Sequence, residues 1–419
     1  MSHTRHPVRA PAYSNTADEL LSAAVINNPV SFHQRLRNNT PLSRIADSGV
    51  HIVANWALIE EALEREEDFS SNLSGVLCRG PDGQPTCFEL PTTGTGAASV
   101  IATADSPRHG IHRALIQPRF TGKVASMEQR IRSWTQTSLE HLINNGGGDI
   151  ASASERVPAL IVAHLLGLPE QDVDSFRIWA MMGGDILAGH IDEQTLIKLA
   201  HETSRMAAYL GEHFDRAAAN LDSAPDAPLM HALAKGVMDA SISRDEALGI
   251  ATVLFGAGGE STAALIGSCL KSLAEQPALA EKMRGDMSLV PRFVEEVTRL
   301  ETPFKFHYRL VRKNCQLGGF DLLVGDRLML NWAAANRDSS IFENPDSLEL
   351  DRKHPKQHMS YGRGMHFCIG AVLARLEARV FVEELLTSTH KISLSKSSAP
   401  VYANSIFIRR LESLPLLLN

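Results

Sequence analysis

The chain has 419 residues, of which 44% are hydrophobic and 21% charged, enough apolar surface for a large core and a composition that excludes a disordered or collagen-like polymer. Its formal net charge is −7, so no overall basic charge favours nucleic acid or an anionic membrane. Length alone, at roughly 150 residues per domain, suggests two to three domains.

In chain order, the opening MSHTRHPVRAPAYSNT carries basic side chains with no apolar stretch behind them. Neither a secretory signal nor a membrane anchor is expected there, the chain reads as cytoplasmic, and residues 1–14 are expected to form a flexible tail. A short strand is expected over 50–54. Residues 71–104 are rich in Gly, Pro, Ser and Thr and too long for an ordinary connection; they read as a binding loop or lid, or as a tolerated surface insertion. The middle is helical: 127–144, stopped by Gly146, Gly147 and Gly148; 157–166, ended by Gly167 and Pro169; then 193–220. A Pro-containing loop over 222–228 leads to further helical patterns over 245–275, stopped by Pro277, and 289–300. The apolar run 247–259 lies between Glu246 and Glu260 and is shorter than the roughly 18 residues a membrane span needs. Strands are expected over 315–330, around the Gly318-Gly319 turn, and over 406–418. The fold class is mainly α with small β-sheets, without repeats or a dividing linker.

Five cysteines, Cys78, Cys87, Cys269, Cys315 and Cys368, are odd in number and scattered, with no C-x-x-C pair. Cys368 stands out. It lies in YGRGMHFCIG (361–370), and Ile369, Val372, Leu373, Leu376 and Val380 recur at helical spacing after it. Cys368 is therefore expected at a helix N-terminus behind a Gly-rich turn, where backbone N–H groups and the positive helix end favour a thiolate. The alternative reading is a small buried hydrophobe opening a core helix.

The segment closely resembles the haem-ligand loop F-G-x-G-x-H-x-C-x-G of the cytochrome P450 superfamily, departing from it only at Tyr361. The resemblance implies a P450-like fold over 15–419 as a single haem domain, heme b as cofactor, and Cys368 as the thiolate ligand of its iron. Tyr361 keeps an aromatic ring near the sulfur and adds a hydroxyl. Glu296 and Arg299 match the family's E-x-x-R, whose i,i+3 spacing puts both charges on one helix face; the resemblance makes them a buried structural pair completed by Arg352. His109 and Arg113 resemble the H-x-x-x-R of the family's C helix, and with Arg309 and His366 they are implied partners of the haem propionates. The stretches AGGESTAAL, HYR and NWAAANRD are also similar to an orphan bacterial subfamily of unassigned substrate.

AGGEST (257–262) falls within the long 245–275 pattern and resembles the family's oxygen-activating motif. Interior helical glycines cost about 1 kcal/mol each, and a groove for dioxygen at Gly258 and Gly259 accounts for them; close helix packing is the alternative. In the family the acid and the following alcohol relay protons towards oxygen activation. Glu260 takes the acid slot, Ser261 the alcohol slot by register, and Thr262 follows about 100° further round. The resemblance implies a substrate pocket formed by the 71–104 loop, Phe176, Trp179, Met182, Leu187, the segment from Leu254 to Gly258, Phe304 within 303–307, and the Ser405, Ile406, Phe407 turn. Thr302, His307 and Ser405 are its polar anchors, and a lipophilic substrate follows.

No flavin or nicotinamide fingerprint is visible in the chain, so electrons are expected from a ferredoxin and ferredoxin reductase. Residues 105–132 carry Arg108, Arg113, Arg119, Lys123, Arg130 and Arg132 against Asp105 and Glu128, and with Arg363 they suggest a basic docking face. The reading is a monomeric, O2-dependent monooxygenase. A peroxide-driven peroxygenase and a non-catalytic haem ligand-binding or sensor protein are the alternatives.

Overall fold

The computed structural model describes residues 19–80, 82–90, 99–190, 192–222, 224 and 227–419. The expected 1–14 tail and parts of the 71–104 and 222–228 loops lie outside them.

Helices dominate. Arg108–Asn144 is one 37-residue helix carrying Pro118 inside it, longer at its N-terminal end than the expected 127–144. Ala151–Leu166 ends at Gly167, whose φ of 81° is the left-handed cap glycine adopts readily. Glu193–Ala219 is capped by Asp192, whose side chain accepts from the Thr195 amide. Arg244–Leu254 begins with a full capping box between Ser243 and Glu246. It runs through a π-helical turn, Phe255–Glu260, into Ser261–Glu275. This composite is long and apolar enough by length and composition to cross a bilayer, beyond what the shorter 247–259 run suggested, but 61% of its most apolar window is buried in the core. Val290–Glu301 and Ala371–Ser388 pack beside it.

The largest sheet has five strands in the order Leu42–Ile45, Val50–Val53, Arg327–Leu330, His307–Val311, Phe69–Ser70. Val50–Val53 runs parallel to Arg327–Leu330, and the other pairings are antiparallel. The period of two along His307–Val311 places His307 and Arg309 on one face, and both line the central cavity. The glycines expected only to stop a helix do more: Gly147–Asp149 forms a strand against Pro415–Leu418. A Cβ at Gly147 would stand 2.2 Å from the Leu416 carbonyl oxygen, so that edge admits no side chain. Residues 71–104 contain a hairpin, Gly75–Arg79 with Pro85–Glu89. The strand expected over 406–418 starts late, at Leu411–Ser413. One hydrophobic cluster joins residues from Val100 to Leu418.

Candidate active site

The wall of one cavity, about 1560 Å³ of space free of atoms counting the part open to solvent, gathers His109, Arg113, Arg309, Tyr361, His366 and Cys368 with Leu254, Gly258, Ser261, Thr262 and Phe304. These residues span some 260 positions of sequence.

The cysteine loop is shaped by its own backbone. Cys368 N–H donates to the Tyr361 carbonyl at 2.8 Å and Phe367 N–H to Gly364 at 3.1 Å. Gly362 and Gly364 both adopt φ of 67°, a conformation that side chains disfavour. The following helix starts at Ala371 with Gly370 as N-cap, so Cys368 stands just ahead of the helix end. Burial pushes its thiol up, and the amides of Gly370 and Ala371 with the charges of Arg375 and Arg113 offset only part of that rise, so the helix end by itself does not favour the thiolate as expected. Arg113 braces the loop from the long helix, donating to the carbonyls of Met365 (3.2 Å) and Phe367 (2.8 Å). The Tyr361 ring carries the Arg375 guanidinium at 4.3 Å from its centroid.

Beside the loop lies a basic cluster on which the Asp105 carboxylate acts without forming an ion pair to His109, Arg309 or His366 among the described residues. The His109 and His366 rings are 4.2 Å apart. Ser71 Oγ meets His366 Nε2 at 2.9 Å, and His366 Nδ1 is buried without a partner. Burial, then Arg309 and His109, push His366 down to about 3. Arg309 donates to its neighbour's carbonyl, Tyr308, at 2.8 Å, and no carboxylate among the described residues comes within ion-pair distance of it. A buried guanidinium without an anion is costly. A group carrying carboxylates would remove that cost, so these residues fit a haem whose propionates they would hold, with Cys368 available as a thiolate ligand.

Across the cavity, Ser261 Oγ donates to the Ala257 carbonyl at the π-helical turn. The glycines of this turn admit close neighbours, the packing alternative, while Gly258 also stands on the cavity wall. A Cβ at Gly258 would lie 2.9 Å from Val162 Cγ2, one at Gly259 2.5 Å from Ala180 Cβ, and one at Gly256 3.2 Å from Gly183 Cα. Glu260 is 1% exposed and not on the cavity wall. Its carboxylate sits under Gly184, with Arg410 Nε 3.4 Å away. Burial pushes it up to about 8 against the pull of Arg410. Glu260 thus stays protonated through the range from about 4.5 to 8 in which the unfolded chain ionises, and wild-type stability should fall as pH rises across it. Glu260→Gln should flatten that fall and be the more stable protein at pH 8 by on the order of 1 kcal/mol, read by chemical denaturation at pH 5 and pH 8. Parallel losses in both proteins would contradict this.

Several expected substrate contacts lie elsewhere. Phe176 and Trp179 are buried among Phe255 and Tyr209, with centroids of Phe176–Phe255 at 5.5 Å and Trp179–Tyr209 at 5.2 Å, and Met182 packs against the same core. Aromatic residues at helical spacing here build the core, not the wall. Ser405 Oγ accepts from the Phe407 and Ile408 amides at 3.1 Å and closes a turn. Ile406 N–H donates to Ala188, and Phe407 stacks on Phe304 at 4.5 Å, so this turn backs the wall from behind. Thr302 is buried, its hydroxyl donating to Arg299 and accepting from Asn336. Ile101, Phe120, Ile161, Leu165, Trp332 and Glu377 also line the cavity. No local pattern marks them, since only the packing of distant helices brings them together.

The expected basic face is largely spent on internal contacts. Arg108 pairs with Glu246, Arg119 donates to the Ala227 carbonyl, Arg130 meets His164, and Arg132 pairs with Glu128, Glu383 and Glu384. Arg363 pairs with Glu60 over the Trp56 ring. The Lys123 side chain is outside the described residues. Glu296 and Arg299, both fully buried, form two bonds of 2.9 Å, and Arg352 Nε joins Glu296 at 2.8 Å.

Comparison with known proteins agrees with this geometry. Residues 191–400 match the family model for cytochrome P450. Cytochrome P450 144 from Mycobacterium tuberculosis is 36% identical over 406 residues, covering 96% of this chain and 91% of that protein. The structure of CYP109E1 from Bacillus megaterium in complex with testosterone matches with a TM-score of 0.81 at 28% identity, over 95% of this chain and 100% of that one. CYP109Q5 from Chondromyces apiculatus gives 0.81 at 28% identity, over 96% and 97%. The chain belongs to the cytochrome P450 family, of bacterial type. It is accordingly a haem monooxygenase, and membership implies a haem with a cysteine thiolate ligand.

Proposed function

We propose that the protein inserts one oxygen atom of O2 into a lipophilic small molecule, with Cys368 as thiolate ligand and electrons from a ferredoxin and its reductase. The observation that carries this reading is the single cavity in which Cys368 and the Ser261 turn share a wall. Haem b, when bound, supplies the oxygen chemistry and one-electron steps. Arg113 and Arg309 neutralise its carboxylates, His109 and His366 offer them ring hydrogen bonds, and Arg113 also keeps the cysteine loop in place. Ser261 holds a proton at its hydroxyl, and Glu260, the acid that precedes it in the chain, is its proton source in this reading. The wall around Leu254, Gly258 and Phe304 is apolar and excludes water, which favours a lipophilic substrate; the relative CYP109E1 is described in complex with testosterone. Residues 15–419 act as one haem domain, monomeric and cytoplasmic. Phe367 and Val372, both exposed beside Cys368, replace the internally paired arginines as the surface nearest the electron entry point.

The test is NAD(P)H consumption with ferredoxin and ferredoxin reductase against a panel of lipophilic compounds preselected by spectral shift, with a peroxide-only arm. Turnover of a hit with the redox partners, and little with peroxide, is expected; efficient turnover with peroxide alone would refute ferredoxin-driven monooxygenation. In the same assay, Ser261→Ala should raise peroxide released per NAD(P)H by roughly ten-fold, with Thr262→Ala far milder. The reverse ranking would assign the relay to Thr262.

A further inference from the structure

The cavity wall contains one histidine whose proton the structure places by elimination. Trp332 Nε1 lies 2.8 Å from His307 Nδ1. An indole nitrogen donates and cannot accept, so Nδ1 is the acceptor and the proton of neutral His307 sits on Nε2. The ring is held edge-on by Phe304 (5.8 Å, 85°) and Phe407 (5.7 Å, 82°). Strand pairing sets His307 opposite Leu330, two residues before Trp332, so the backbone ladder fixes the pair. His307 and Trp332 both line the cavity, and Nε2 is the polar atom that His307 has left to offer it. Arg309 lies two residues on along the same strand face, and His307 stands close enough to His366 for a proton on one to disfavour a proton on the other. Burial and then Arg309 push His307 down to about 4, which keeps it a neutral donor.

We infer that His307 is a further cofactor-binding residue, donating Nε2–H to a carboxylate oxygen of the haem, and that Trp332 is the positioning residue that locks its donating tautomer. The inference rests on haem occupying this cavity. A neutral donor suits the place: Arg309 and Arg113 already bring cationic charge to the cluster, and a further cation there would be repelled. A carbonyl oxygen of a substrate presents the same acceptor chemistry to this donor, and the experiment separates the two.

The ferric holoprotein is mixed with excess apomyoglobin and the rate of haem transfer recorded, with the propionate bending band followed by resonance Raman. A hydrogen bond to a charged acceptor is worth about 1.5–3 kcal/mol, so His307→Phe should lose haem at least about ten-fold faster and shift the propionate band. His307→Gln, which retains a side-chain N–H, should recover most of both. Trp332→Phe should lie between, and should add nothing in the His307→Phe background. An unchanged band and transfer rate in His307→Phe would overturn the inference, as would an unchanged band and rate accompanied by weakened binding of testosterone used as a probe, which assigns the donor to the substrate side. If His307→Phe does not fold, His307→Ala is read the same way. An effect of Trp332→Phe that persists undiminished in the double variant would overturn the positioning role. Neither readout involves turnover, so a failure of ferredoxin-driven monooxygenation and a failure of this inference remain distinguishable.

Discussion

Cys368→Ser is expected to erase the thiolate signature: the reduced, CO-bound protein should no longer absorb at the position typical of haem thiolates, and turnover should fall by at least about 100-fold. The hydroxyl of serine is a far weaker acid and a harder donor than the thiol, so it cannot push electron density as a thiolate does. The rest of the loop should survive, because its shape comes from backbone bonds between Tyr361 and Cys368 and between Gly364 and Phe367, none of which uses the sulfur. No other cysteine lines the cavity to take its place. Retention of the haem-thiolate absorbance in the serine variant would refute the assignment.

Arg299→Ala should destabilise the protein by about 3–5 kcal/mol, since it strands a buried carboxylate. The guanidinium bonds Glu296 twice and also donates to the carbonyls of Asn336, Pro345 and Ser347. Removing it unties the helix Val290–Glu301 from the segment that leads to the cysteine loop. Arg352→Ala should cost less, because Arg352 makes one bond to Glu296. Burial works to raise the Glu296 carboxyl, but Arg299, the Glu349 amide and Arg352 together hold it below its ordinary value. Its contribution is therefore complete above the unfolded carboxylate range and lost as pH falls through the folded value. Wild type should lose stability on acidification more steeply than Arg299→Ala. Denaturant midpoints at pH 7 and pH 4 measure both effects; equal midpoints at pH 7 would show the pair to be dispensable.

Much of the site is local and was therefore readable. The spacing of Gly362, Gly364, His366 and Cys368 encodes a turn followed by a helix, and Glu296 with Arg299 encodes a shared helix face. Even so, geometry revised individual roles. Gly258 and Gly259 carry the mark of an unusual helix, but whether their missing side chains leave a groove or admit a neighbour depends on Val162 and Ala180, about 80 to 100 positions away. Phe176 and Trp179 show how apolar periodicity finds the buried face of a helix without saying what it is buried against. The basic run over 105–132 was equally ambiguous, because Glu246, Glu383 and Glu384, its main partners, are distant in the chain.

Length alone suggested two or three domains; residues from Val100 to Leu418 contribute to one hydrophobic cluster, beside two smaller ones that hold the apolar side chains from Leu20 to Leu77. By itself the sequence determined the mainly helical class, the cysteine loop and the family, because each depends on side chains and backbone preferences within a few turns of one another. Only the tertiary structure decided which atoms meet: that Arg113 braces the cysteine loop, that Glu260 faces Arg410, and that Trp332 orients His307. Such contacts act over a few ångströms between residues far apart in the chain, and a linear pattern carries no record of those distances.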